Sequence, residues 1–143
     1  MSTWKTIVVG VDGSPGSRKA LTWSAAEAAD HGADLVVVNV WEHTLLPPAG
    51  NVSVSERYVP DPSQRTADDL LQVIKEELGD NPAILIKAQV KQGRAAKVLI
   101  EESENADMLV VGKRGHGGFA GLVLGSVSQH VAAYAKCPVT VVR

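Results

Sequence analysis

Ile7-Val8-Val9-Gly10-Val11-Asp12-Gly13-Ser14-Pro15 carries the architecture in nine residues: an apolar run, a tight polar turn and a helix start. The run is β-branched and lacks the alternation of a half-exposed strand, which fits a strand buried on both faces. Ser14 is placed to cap a helix, with Pro15 at its first position. Leu21, Ala25 and Ala28 then share one face, and Gly32 stands where a C-terminal glycine belongs.

The same unit recurs outward along the chain. Residues 35–41, 108–111 and 139–142 are short apolar runs of the same kind. Ile84-Leu85-Ile86 opens another, which continues toward Val90 with polar residues interleaved and so belongs at or near a sheet edge. Asp61-Pro62-Ser63-Gln64 reads as cap, first-position proline and reciprocal glutamine. Leu70, Leu71, Ile74 and Leu78 follow at helical spacing, and Gly79 ends that stretch. Ala95, Val98, Leu99 and Glu102 mark a third helix, and Leu124, Val127, Val131 and Tyr134 a fourth. The order β-α-β-α-β-α-β-α-β implies parallel strands joined by crossovers. The expected fold is α/β: a single domain over residues 1–143, an open doubly wound five-stranded parallel sheet of order 3-2-1-4-5 with helices on both faces. Residues 42–60 are one long irregular segment, functional or simply a connector.

Composition narrows the function. The chain has 143 residues, 45% apolar and 21% charged, with a net charge of −2. That balance does not suit a protein that grips nucleic acid backbone. Three Trp, two Tyr and one Phe are too few for a base-stacking platform, and Trp4, Trp23 and Trp41 read as packing. No run approaches the roughly 20 apolar residues of a membrane span, and the start shows no signal-peptide pattern. A cytoplasmic protein, with no nucleic acid or membrane partner, is expected. Cys137 is the single cysteine, read as packing at a strand start. His31, His43, His116 and His130 lack ligand spacing, so no metal site is expected. Glu101, Glu102 and Glu104 read as a solvated helix end.

The informative stretch follows the fourth run: six glycines fall within the 14 positions from Gly112 to Gly125. Glycine permits close backbone approach to a ligand. Ser126, three residues before Gln129, has capping-box spacing, and a helix N-terminus favours a phosphate. Lys113, Arg114 and His116 add donors. The alternative is a plain connector with Ser126 only a cap. No Walker A string occurs. Gly115-His116-Gly117-Gly118-Phe119-Ala120 matches the loose dinucleotide pattern, but no carboxylate follows Asp107, so a dinucleotide site is rejected.

The spacing Gly112-x-x-Gly115-x9-Gly125-Ser126 resembles the ATP-binding signature of universal stress proteins. The opening Ile7–Ser14 and the close Cys137-Pro138-Val139-Thr140-Val141-Val142-Arg143 are similar to that family's first strand and loop and its last strand. The resemblance implies an adenine-nucleotide-binding module of the stress response, usually a homodimer. It implies that Gly112, Gly115, Gly125 and Ser126 hold phosphate and ribose. Asp12 would lie by ribose and base, and Val40 would meet adenine through its backbone. Gly10, Val11, Lys113, Arg114, His116, Gly117, Val127 and Ser128 flank these positions and join the candidate set. Asp12 also has a bland role, bonding its own turn. The expected ligand is ATP, with or without Mg²⁺; AMP and cyclic AMP stand beside it. Slow ATP hydrolysis and a nucleotide-free structural dimer are the rival functions, and no catalytic residue is assigned. Val139, Val141 and Val142 make the last strand an apolar edge suited to pairing with a second copy.

Overall fold

A computed structural model describes residues 4–42, 62–80, 82–114 and 124–143. The elements are β1 (Thr6–Gly10), α1 (Pro15–His31), β2 (Asp34–Trp41), α2 (Pro62–Leu78), β3 (Ile86–Gln92), α3 (Ala95–Ser103), β4 (Met108–Gly112), α4 (Ser126–Tyr134) and β5 (Val139–Val142). The five strands form one parallel sheet of order β3-β2-β1-β4-β5, as expected.

Side-chain alternation along the central strands divides the apolar residues between two cores. Ile7, Val9, Leu35, Val37 and Val110 face α1 and α2, where they meet Leu21, Leu70 and Ile74. Val8, Val36, Val38, Leu109 and Val111 face α3 and α4, where they meet Val98, Leu99 and Val131. Every strand residue named here is buried, which explains the unbroken apolar runs. α1 buries mostly small residues, Ser17, Ala20, Ser24 and Ala28, beside Leu21. Its buried Ser24 hydroxyl donates to Leu21 O at 2.9 Å. Ser14 accepts from the Ser17 amide, and Gly32 closes the helix at φ 64, the left-handed conformation that glycine adopts without strain.

Local boundaries and exposures differ from expectation at five places. β1 ends at Gly10 rather than Val11, although the Val11 N–H still donates to Val38 O at 2.9 Å. β3 starts at Ile86 rather than Ile84, at the sheet edge; Leu85 is exposed while its carbonyl accepts from Leu35. Leu71 is exposed, and Val73 takes the core position beside Ile74. Tyr134 is exposed and lies against the His130 ring at 5.2 Å. Ser126 is the first helical residue of α4, and Gly125 is the N-cap with no side-chain bond. The expected Asp61 cap and the segment 43–60 lie outside the described residues.

Asp107 sets the register of the two central strands at the end of the sheet away from the glycine-rich segment. Its Oδ2 accepts from the amides of Lys5 at 2.8 Å and Thr6 at 3.0 Å, while its own amide donates to Thr6 O at 2.9 Å. Those backbone donors, Lys5 first, hold the carboxyl below the usual carboxylate range. The folded pKa lies below the unfolded value of about 3.9, so the stabilisation is present above that pH and is lost as pH falls through the folded pKa. Asp107→Ala is expected to cost about 1 kcal/mol at neutral pH, a charged hydrogen bond discounted for exposure. Unfolding followed by circular dichroism should show that difference closing as the pH falls below the unfolded value of about 3.9.

Candidate functional site

The chain leaves β1 toward β2 on one side and later returns to place β4 on the other. Open α/β sheets bind ligands beyond the strand ends at such a reversal. A cleft lies there, bordered by Gly10, Val11 and Asp12 after β1, and by Val111, Gly112 and Arg114 after β4. Val38 and Val40 of β2, Ala95 and Leu99 of α3, Val127 and Ser128 of α4, and Ser17 of α1 complete it. Its lining is therefore mainly apolar, with Asp12 and Arg114 as its charged members.

Each rim is held by short-range chemistry. After β1, the Asp12 Oδ1 accepts from the Ser14 amide at 2.9 Å, and the Asp12 amide donates to Ser17 Oγ at 3.2 Å. The Ser17 hydroxyl in turn donates to Ser14 O at 3.0 Å. Arg18 Nε donates to Gly13 O at 3.2 Å, and its Nη1 lies 2.8 Å from Glu76 and 3.1 Å from Glu77. This clip joins the turn to α2. Arg18 holds the Glu76 carboxyl below its ordinary range, but exposed pairs of this kind add little stability. Asn39 Nδ2 donates to Val11 O at 2.8 Å, tying β2 to the end of β1.

After β4, Ser128 Oγ donates to Gly112 O at 2.6 Å and lies 3.2 Å from Lys113 O. The Gly125 amide donates to Lys113 O at 2.8 Å, and the Lys113 amide to Val142 O at 2.8 Å. The head of α4 is thereby pinned to the end of β4. The N-cap of α4, Gly125, has no side chain to accept from the helix, and the first amides of a helix have no intrahelical acceptors. They carry partial positive charge of about half a unit.

Of the sequence-derived candidates, the structure gathers Gly10, Val11, Asp12, Val40, Gly112, Arg114, Val127 and Ser128 around one cleft. Lys113, Gly125 and Ser126 are not among its lining residues, although Gly125 is bonded to Lys113. Gly115, His116 and Gly117 lie outside the described residues. Asp12 does take the local turn role, and it borders the cleft as well. Ser17, Val38, Ala95, Leu99 and Val111 were not anticipated. Leu99 and Val111 were legible only as apolar positions, and nothing in their spacing aimed them at a site. The Ser17 role depends on the fold of the 12–17 turn.

Cys137 packs against the α3–α4 core, and burial pushes its thiol pKa up, as suits a packing residue. Trp4 and Trp23 pack on the other core. Among the described residues no group of three His, Cys, Asp or Glu is placed to hold a metal. None of the described helices is long and apolar enough to cross a membrane.

The universal stress protein family model matches residues 3–143. A universal stress protein of Thermus aquaticus is 34% identical over 142 residues, covering 98% of this chain and 99% of that one. The chain spans about half the length of other curated relatives it matches, 44–49% of each. Among solved structures, universal stress protein UspA from Lactobacillus plantarum shares the fold with a TM-score of 0.81 at 23% identity, covering 100% of both chains. A universal stress protein solved in complex with cAMP has a TM-score of 0.67 at 28% identity, covering 99% of this chain and 98% of that one. With the family model spanning nearly every residue and the sheet order shared, the chain belongs to the universal stress protein family.

Proposed function

We propose that the chain is a regulatory module of the stress response that binds an adenine nucleotide, ATP in particular, in the cleft between the ends of β1 and β4. The observation that carries this is the pairing of an apolar lining with a helix start whose N-cap is glycine and a cation on one rim. Val38, Val40, Leu99 and Val127 offer an apolar seat for a base. Arg114 and the α4 amides offer charge and donors to an anion. The relative solved with cAMP supports adenine nucleotides as the ligand class.

The described residues enclose about 90 Å³, below the roughly 300 Å³ at which small-molecule pockets begin. The base would fill the cleft, and ribose and phosphates would extend across its mouth toward Gly112, Lys113, Gly125 and Ser126. Asp12, the one carboxylate among the described lining residues, would stand beside the ribose. Mg²⁺ carried with ATP would be held mainly by phosphate oxygens and water. Because Asp12 Oδ1 already accepts from Ser14, the arrangement favours binding over turnover.

Dimerisation through β5 belongs to the same proposal. β5 pairs with β4 on one side and ends the sheet on the other. Val139 and Val141 pack partly on one core and Val142 on the other. What the strand offers a second copy is therefore its open backbone edge more than a row of spare apolar side chains.

Titration calorimetry should show ATP binding, with ADP, AMP and cyclic AMP ranking the contribution of each phosphate. Arg114→Ala should weaken ATP about tenfold or more, the loss of one charge-assisted hydrogen bond, and Gly125→Val should do the same by crowding Arg114. Undiminished ATP affinity in both variants would sink this site.

Light scattering at micromolar concentration should give twice the chain mass. Val141→Pro, which removes an amide donor from the open edge of β5 and leaves the ladder to β4 in place, should shift it toward monomer.

A further inference from the structure

We propose that Gly16, in the first turn of α1, is a positioning residue for the phosphate side of the cleft; the inference rests on the nucleotide reading above. Two glycines, Gly16 and Gly125, close on Arg114, and a third, Gly112, closes on the Gly16–Ser17 peptide. A Cβ on Gly112 would lie 2.7 Å from the Gly16 carbonyl carbon and oxygen and 3.0 Å from the Ser17 amide nitrogen. A Cβ on Gly16 would lie 2.7 Å from Arg114 O. A Cβ on Gly125 would lie 3.4 Å from Arg114 Cα. The atoms met by Gly16 and Gly112 are backbone, which cannot swing aside as a side-chain tip can.

The Arg114 peptide is thus seated between the start of α1 and the start of α4. Gly16 has no left-handed φ to explain it, and alanine is the better helix former. A glycine inside a helix with ordinary dihedrals is best explained here by contact, and the contact is the Arg114 carbonyl. On the other side, Lys113 O accepts from the Gly125 amide and lies 3.2 Å from Ser128 Oγ, so Arg114 has little room to retreat toward α4. The three heavy atoms nearest a Cβ on Gly16 all belong to Arg114, whereas Val38, Val40, Leu99 and Val127, which would meet a base, lie on β2, α3 and α4. Adding one methyl at Gly16 therefore displaces the cation and leaves the apolar seat intact. Gly112 differs, since it lies within β4 and its Cβ would press on α1 itself.

The test compares ATP with adenosine by calorimetry on the unsubstituted chain and on Gly16→Ala, with thermal unfolding of both. The variant should melt cooperatively and bind adenosine within about twofold of the unsubstituted chain, but bind ATP about tenfold more weakly. Amide NMR should move the Arg114 resonance while Leu109 and Val110 in β4 stay in place. Equal losses for adenosine and ATP, an unchanged ATP affinity, or an unmoved Arg114 amide would overturn the proposal. So would a variant that fails to fold, which would make Gly16 a fold-packing residue. Absence of ATP binding by the unsubstituted chain would instead remove the nucleotide reading, a result separable from the others because it needs no substitution.

Discussion

β1 is bonded on both edges and buried on both faces, and everything functional hangs on that. Thr6–Gly10 pairs in parallel with β2 on one side and β4 on the other, and Ile7, Val8 and Val9 are each at most 1% exposed. A parallel strand so enclosed needs crossovers that lay helices on both faces. Once α1 and α2 take one face and α3 and α4 the other, successive connections must diverge at β1. The divergence leaves an opening between the turn after β1 and the turn after β4. The cleft is a consequence of topology before it is a property of any side chain.

That explains what was legible in the sequence. Runs such as Val36-Val37-Val38 and Leu109-Val110-Val111 declare two-faced burial without reference to distant residues. Ser14, Pro15 and Gly32 mark the limits of α1 through local backbone chemistry. From those signals a doubly wound parallel sheet follows; its order, 3-2-1-4-5, comes from the fold pattern and not from any one residue, and sets the neighbourhood of Asp12, Gly112 and Arg114. What failed to show was set by geometry between elements. Leu71 and Val73 both suit the apolar stripe of α2, and only the docked helix decides that Val73 is buried. Ser126 has the chemistry of a cap, but the bond from the Gly125 amide to Lys113 O places the helix start one residue earlier.

The rims of the cleft are built by backbone groups and small hydroxyls more than by long side chains. Ser17 and Ser128 do parallel work on opposite rims: each buried hydroxyl donates to a carbonyl of the turn beside it, Ser14 O in one case and Gly112 O in the other. Buried polar groups held this way carry no desolvation deficit and cost little side-chain entropy to fix. A rim so made is rigid before any ligand arrives, and preorganisation reduces the ordering cost of binding.

The glycines take on a different meaning in this light. From the sequence, Gly112 and Gly125 invite the idea that a phosphate needs bare backbone beside it. In the structure, Gly112 is already required by α1, whose Gly16 carbonyl would collide with any Cβ there. A spacing of glycines that marks nucleotide binding need not mark direct contacts at every position. Some positions bring two helix starts and a strand end close enough for their backbone groups to converge. The same closeness makes the site sensitive to residues that no ligand touches, because a methyl group added between two backbones moves both of them.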